Sequence, residues 1–385
     1  MRRNFNISEA LLPKVLLSLS IAFIWLVAPS QSQSEPPQRI KVGVIVGLTG
    51  IAASNGNDLV NGISLADANS DVSNLVEFII QDDNFQPKHT VSAAQKLISE
   101  DKVAALITFS GSTSLAASTI TESRGIAHVA ITPLTRVSAN KRFVRTVFVP
   151  NETAIALLKE AISGFTHGRI AIITSTQDAL LEIREEIRAS CGTKVVFDEE
   201  LQPGNVDLLS TVTRLLTSKP DLVVNLTLPP QISLVARILR DHHFTGKQVG
   251  APPMYNLSEI KAATGALTGA YLTGPRIAAG SPFLADYKAR FNTPPLPEAI
   301  LGYDVASWMI EAAKDARGLS SLLSARTQTG LAGEYRMSSE NQFEVPGELK
   351  VVTADGGVKA YDKELACCAA LHEKQLKTNQ NLDLQ

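Results

Sequence analysis

The side chains able to do chemistry fall in a few short groups along this 385-residue chain. Leu371-His372-Glu373-Lys374-Gln375 opens like a zinc-protease helix, in which a second histidine four residues on completes the metal site. That position is Leu376, and the match ends there. Asp241-His242-His243 could hold a metal, but a solvated helix end is the plainer account. Asp82-Asp83 could be an acid and base pair; adjacent residues point in different directions, and turn formation or capping explains them more simply. Gly43, Gly47 and Gly50 follow an apolar run without dinucleotide-loop spacing, and Gly246-Lys247-Gln248 lacks the rest of a phosphate loop. No nucleophile, base and orienter can be assembled from these groups, which argues against a secreted α/β enzyme. No catalytic residue, metal or cofactor is expected.

Two hydroxyl-rich stretches are more informative. Ser110-Gly111-Ser112-Thr113-Ser114 follows one apolar run, and Thr132-Pro133-Leu134-Thr135-Arg136 follows the next. Hydroxyls beside the unpaired N–H groups of a helix start suit a carboxylate or another anion. Plain N-capping by Ser112 or Ser114 is the competing account, and the two are compatible.

The surrounding elements would put both stretches on one edge. Short β-branched runs, Ile40 to Leu48, Val76 to Gln81, Val103 to Thr108 and Ala127 to Ile131, alternate with segments of helical periodicity over 58–69, 88–99 and 115–124. This order predicts a parallel sheet covered on both faces, with ligands at the carboxyl ends of its strands. After Phe143 to Pro150 the alternation restarts, with strands expected at 169–173, 194–198 and 221–225 and helices at 153–164, 180–190, 208–218 and 232–240. Two further helices, over 282–291 and around Leu301, Val305, Trp308 and Ala312, are expected to return and cover the first sheet.

Composition agrees with a folded, exported chain. Apolar residues make up 44% and charged residues 19%, enough for a large core and for about two domains of roughly 150 residues each. A net charge of -2, from 36 basic and 38 acidic residues, excludes a basic nucleic-acid surface. Arg2, Arg3 and Lys14 precede the uncharged run Val15 to Ala28, then small polar residues, as in a secretory signal peptide cut after Ser30 or Ser32. That run falls short of the roughly 20 residues of a membrane span, so an uncleaved anchor is the lesser alternative. Removing residues 1–30 takes away three positive charges and Glu9, and the mature chain carries -4. A periplasm is the expected compartment. Cys191, Cys367 and Cys368 are too few for a disulfide scaffold; either inert thiols or one bridge from Cys191 to the tail fits the count.

Taken in order, Ile40 to Gly62, Gln81 to Pro87, Ala94 to Ile98, Ser110 to Thr113, Arg169 to Ile173 and Leu301 to Ala313 resemble one family. It is the branched-chain amino-acid-type (Leu/Ile/Val-binding-like) substrate-binding proteins of ABC importers, with the type I periplasmic binding protein fold. The resemblance implies two doubly wound α/β lobes joined by three crossover segments near 143–150, 270–276 and 331–337. The first lobe would take 39–148 plus 274–333, the second 149–273 plus 334–365, with a tail over 366–385. It also implies a small-molecule ligand gripped between hinged lobes, a membrane permease as partner, a monomer, and no chemistry. A sensory protein reporting a ligand to a separate receptor is the alternative function.

By the same resemblance Ser110 is the serine that holds a ligand carboxylate and Thr135 the hydroxyl residue of the next loop; Ser112, Thr113 and Thr132, from the two hydroxyl stretches, complete the expected site. Arg136 is an alternative occupant of the Thr135 slot. Asn55 stands where many members place an aromatic, Gln177-Asp178-Ala179-Leu180 replaces a Tyr-Gly segment, and Leu228 replaces another aromatic. The acid that pairs with a ligand ammonium is expected within Gly250 to Tyr255, and none is there. Tyr255 could offer a hydroxyl or a stacking face. Unless Asp178 or Asp304 reaches the cleft, an unpaired buried ammonium would cost about 1.5–3 kcal/mol. A ligand with an anionic or amide end and no obligatory ammonium is therefore expected.

Overall fold

The chain, seen in a computed structural model that describes residues 39–72, 75–165, 168–277 and 280–362, builds two sheets. The leader expected at 1–30, Cys367, Cys368, His372 and the tail lie outside the described residues.

The first sheet grows from β1 (Ile40–Val46), β2 (Val76–Asp82), β3 (Ala105–Phe109), β4 (Ala127–Ile131) and β5 (Val144–Phe148), all parallel, in spatial order β2-β1-β3-β4-β5. Helices α1 (Ala53–Asn69), α2 (Pro87–Ser99) and α3 (Gly111–Arg124) are its crossovers. The inner strands β1, β3 and β4 are largely apolar because both faces are covered, and β4 is buried at every position, whereas the edge strand β2 is partly exposed. Register is direct, with Val42 of β1 opposite Phe78 of β2 and Ala105 of β3.

The second sheet repeats the plan. After α4 (Asn151–Phe165) come β6 (Ile170–Ser175), α5 (Asp178–Cys191), β7 (Val195–Leu201), α6 (Leu209–Thr217), β8 (Leu222–Leu226), α7 (Gln231–Asp241), β9 (Lys247–Gly250), α8 (Leu257–Ala262) and β10 (Tyr271–Pro275). The parallel strands stand in order β7-β6-β8-β9-β10, the same winding as in the first sheet. The architecture is the two-lobed, doubly wound α/β arrangement that the alternation predicts.

The chain then returns. Helices α9 (Pro282–Phe291) and α10 (Pro297–Lys314) pack on α1, as expected of helices left over after a second sheet, and α11 (Leu319–Ser324) follows. Here α10 and α1 cross at backbone contact: a Cβ on Gly62 would lie 2.0 Å from the Ala299 carbonyl oxygen, and one on Gly302 would lie 2.4 Å from that of Leu59. Strands β11 (Thr327–Gly330), β12 (Gly333–Met337) and β13 (Gln342–Glu344) then extend the first sheet past β5, with β13 paired to β5. Finally β14 (Gly347–Val352) and β15 (Val358–Ala360) extend the second sheet beside β10.

The last passage between lobes thus falls at Val345-Pro346, later than the 331–337 expected from the resemblance. The reason is that β12 and β13 stay with the first sheet. The passages lie side by side: Val345 N–H donates to Phe148 O at 3.0 Å, and Arg276 N–H donates to Pro346 O at 2.8 Å.

Each lobe has its own core. In the first, Val44, Ile107 and Val129 meet Leu301, Val305, Trp308, Tyr335 and Phe343 from the far end of the chain. Asp304 is buried in it, accepting from Tyr335 Oη and from Leu331 N at 3.0 and 3.1 Å. In the second, Ile170, Ile172 and Val224 meet Leu158 and Ile183.

Candidate functional site

Both sheets aim their carboxyl ends at one cleft. On the first lobe its wall is Phe109 and Ser110 after β3, Ile131 and Thr132 after β4, Phe148 at the end of β5, Ile51 and Asn55 near the start of α1, and Phe85. Opposite lie Gln177, Leu180, Ile183, Leu228 and prolines 229, 252 and 253 of the second lobe, beyond β6, β8 and β9. The cleft holds about 780 Å³ of space when the solvent at its open mouth is included. Its lining is apolar except for a handful of groups.

The lobes are in contact across it. Asn256 Nδ2 donates to Asn55 Oδ1 at 3.0 Å, the Ser54 and Ser258 hydroxyls are 3.2 Å apart, and Arg136 pairs with Asp178 at the rim.

Ser110 is the residue on which most geometry converges. Its backbone sits at φ 75°, ψ 159°, a region almost confined to glycine. It stands at the N-cap of α3, yet its side chain makes no cap bond. Its hydroxyl is buried, lines the cleft and has no hydrogen-bond partner. A group held at a strained backbone with an unspent hydroxyl, beside the first N–H groups of a fourteen-residue helix, is arranged for an incoming acceptor.

The neighbouring hydroxyls divide. Thr132 lines the cleft, its oxygen also accepting from Leu134 N at 3.3 Å. Ser112 and Thr113 do not line it, because α3 begins at Gly111 and helical rotation turns them away: Ser112 is exposed, and the Thr113 hydroxyl is spent on Phe109 O. Neither Ser112 nor Ser114 caps the helix; Ser114 Oγ instead accepts from Thr108 at 2.7 Å. Thr135 opens a short turn and also stays outside the wall, while Arg136 is at the rim with Asp178 rather than in the Thr135 slot. Tyr255 is packed among Ile232, Met254 and Leu272, with Lys350 Nζ 5.6 Å from its ring centre, and does not line the cleft. Burial first, then Glu348 and Glu298, push its phenol up to about 12. Asp82 and Asp83 hold their turn, accepting from Thr49, Asn84, Thr90 and Phe85.

The acid missing from Gly250 to Tyr255 has a counterpart from the other lobe. Glu298, in the first turn of α10, lines the cleft at 6% exposure, and its Oε2 has no partner. Burial pushes its carboxyl up to about 7, against the hydrogen bond from the Asn55 amide, and Asp58 adds to the rise. This overturns the expectation of a cleft with no acid and, with it, the argument against an ammonium. Neither acid named from sequence is the one: Asp178 is at the rim and Asp304 is sealed in the first core. The only sequence signal for Glu298 was a helix start, Pro297-Glu298.

Comparison with known proteins agrees with the two-lobed reading. The chain is 26% identical over 270 residues to the Leu/Ile/Val-binding protein BraC3 of Rhizobium johnstonii, covering 66% of this chain and 73% of that one. Its fold is similar to that of LivJ, the branched-chain amino acid transporter substrate-binding protein of Streptococcus pneumoniae, solved with isoleucine. The TM-score is 0.77 at 17% identity, over 84% of this chain and 98% of that one. It is similar also to a solute-binding protein of an R. palustris ABC transporter solved with benzoate, with TM-score 0.74 and 17% identity, over 84% and 95% of the two chains. The family model described as periplasmic binding protein matches residues 39–357, so this chain, as the order of its motifs suggested, belongs to the periplasmic binding proteins.

Proposed function

We propose that this protein is the solute-binding component of an ABC importer, working in the periplasm and presenting its closed form to a membrane permease. The cleft carries this reading. It lies where two doubly wound sheets converge, it is apolar, and Asn55 and Asn256 already bridge its walls. A ligand touching both lobes favours the closed arrangement by its differential affinity for it, and no bond is made or broken. Among the described residues no helix is long and apolar enough to cross a membrane.

The ligand we assign by class is a small carboxylate with an apolar body, its carboxylate at Ser110 and the start of α3. The lining supports this, with Phe85, Phe109, Phe148 and Leu228 offering apolar faces around one free hydroxyl. Similar folds hold isoleucine and benzoate, two molecules that share those features. The test is a thermal-shift screen against amino acids, amides and aliphatic and aromatic carboxylates. A true ligand at 100-fold its dissociation constant stabilises by about 2.7 kcal/mol. A screen in which no carboxylate stabilises the protein would reject the assignment.

A further inference from the structure

A chain of hydrogen bonds runs from the second lobe into the cleft and ends on Asn55, a neighbour of Glu298. It begins at the backbone N–H of Glu259, which can only donate and does so to Asn256 Oδ1 at 3.1 Å. The Asn256 amide nitrogen must therefore face the other way, and it donates to Asn55 Oδ1 at 3.0 Å. That in turn leaves the Asn55 nitrogen, a donor, as the group with which Asn55 favours the charged form of the nearby Glu298 carboxyl. Each amide is oriented by the group before it, so Asn55 is left with its donor, not its acceptor, uncommitted by the chain. Glu298 lines the cleft, and its Oε2 is buried without a partner.

We propose that Glu298 selects the ligand, and that the cleft takes a molecule with a carboxylate for Ser110 and, elsewhere on it, a hydrogen-bond donor, ammonium or hydroxyl, for Glu298 Oε2. The two orphan atoms belong to separate helix starts, α3 and α10, of which α10 packs on α1 and α3 on α2. The charged group acting on Glu298 from α1 is Asp58, another acid, and Tyr255 from the second lobe senses the Glu298 charge in turn. A second carboxylate there would meet like charge, whereas a donor supplies the hydrogen bond that Oε2 lacks.

This inference rests on the proposed solute-binding function, and its test separates the two. Affinities of the full chain are measured by calorimetry for two matched pairs, leucine against 4-methylpentanoate and 4-hydroxybenzoate against benzoate. We expect the donor-bearing member of at least one pair to bind about tenfold or more tightly. Glu298→Leu abolishes that preference while leaving the donor-free member near its original affinity. Glu298→Gln, close in shape and with a carbonyl that still accepts, distinguishes the donors: a preference for ammonium is lost and one for hydroxyl is kept. Unfolding curves for both variants verify that they fold. Equal binding within both pairs, or a preference that survives Glu298→Leu, overturns the role of Glu298 and leaves the solute-binding reading standing. No binding by any of the four, or by any other carboxylate or amino acid, overturns both.

Discussion

Arg136 of the first lobe and Asp178 of the second form an ion pair across the rim of the cleft, and both side chains are about half exposed, at 50% and 47%. Exposed pairs contribute only about 0–1 kcal/mol. Arg136→Ala is therefore expected to weaken ligand binding by about fivefold at most, with the difference shrinking as salt shortens the screening length to about 3 Å at 1 M. Calorimetric titrations at low and high salt check this. A salt-insensitive loss of about 100-fold, near 2.7 kcal/mol, would mean that Arg136 contacts the ligand directly.

Ser110 separates strain from recognition. At φ 75°, ψ 159° a non-glycine residue costs about 1–3 kcal/mol, and glycine's own flexibility forfeits part of what it would recover. Ser110→Gly should stabilise the ligand-free protein by about 1 kcal/mol, whereas Ser110→Ala should not. Both lose the hydroxyl, so both should weaken a carboxylate ligand by about tenfold or more. Thermal midpoints and dissociation constants for the two variants test the pair of statements together. Unchanged affinity in both would remove Ser110 from the site.

Two buried groups give opposite pH slopes. His128 has no exposure and sits between Thr108 and Thr121, 2.7 and 3.1 Å from its ring nitrogens. Burial, helped by Lys141, lowers its pKa to about 3. The unfolded imidazole takes up its proton near about 6.5, so this group costs stability as pH falls from there towards 3. Asp304 is the reverse: burial raises it to about 7, against the hydrogen bonds of Tyr335 and Leu331. Its contribution is fully present below about 3.9, where the unfolded carboxyl titrates, and is lost as pH rises to 7. Relative to the unsubstituted protein, Asp304→Asn should therefore be most costly in acid and progressively less so towards neutrality. His128→Asn should flatten the acid limb. Urea unfolding at several pH values between 4 and 7 reads both differences; a cost of Asp304→Asn that grows with pH would contradict the assignment.

The crossing of α1 and α10 leaves no room for a methyl group. With a Cβ at Gly62 meeting a backbone oxygen at 2.0 Å, Gly62→Ala must push the helices apart, a change of the kind that costs about 1–3 kcal/mol. Because that oxygen belongs to Ala299, next to Glu298, ligand affinity should fall as well. Gly164, in α4 with nothing within 4 Å of its Cβ position, is the control. Gly164→Ala should be neutral or stabilise by up to about 1 kcal/mol. Equal unfolding midpoints for the two variants would refute the packing argument.

The parallel strands and their crossover helices were legible because each is a long enough stretch of one periodicity, and Ala127 to Ile131 came out with its own boundaries. The strands over 327–360 were not, since pieces such as Gln342–Glu344 are too short to show alternation; they owe their place to a neighbour's open edge. Ser110, Thr132 and Asn55 were found at the cleft wall because strand ends and helix starts can be located from pattern alone. Ser112, Thr113 and Thr135 were misplaced by one kind of error: a hydroxyl run was read as a loop where the chain had already begun to coil, so that successive side chains turn to different sides. Glu298 escaped notice because a glutamate after a proline is ordinary at a helix start. Its burial depends on contacts between residues more than two hundred positions apart.

The lateral pairing of β13 with β5 governs the order in which the polypeptide can mature. When residues 40–148 have been synthesised, their sheet still lacks α10 and a neighbour for β5, and both come from beyond residue 296. The growing chain therefore holds an unfinished apolar surface for about half of its synthesis, an interval in which a holding chaperone can engage it before folding competes. Fragments ending before Gln342 should aggregate rather than form a half-molecule.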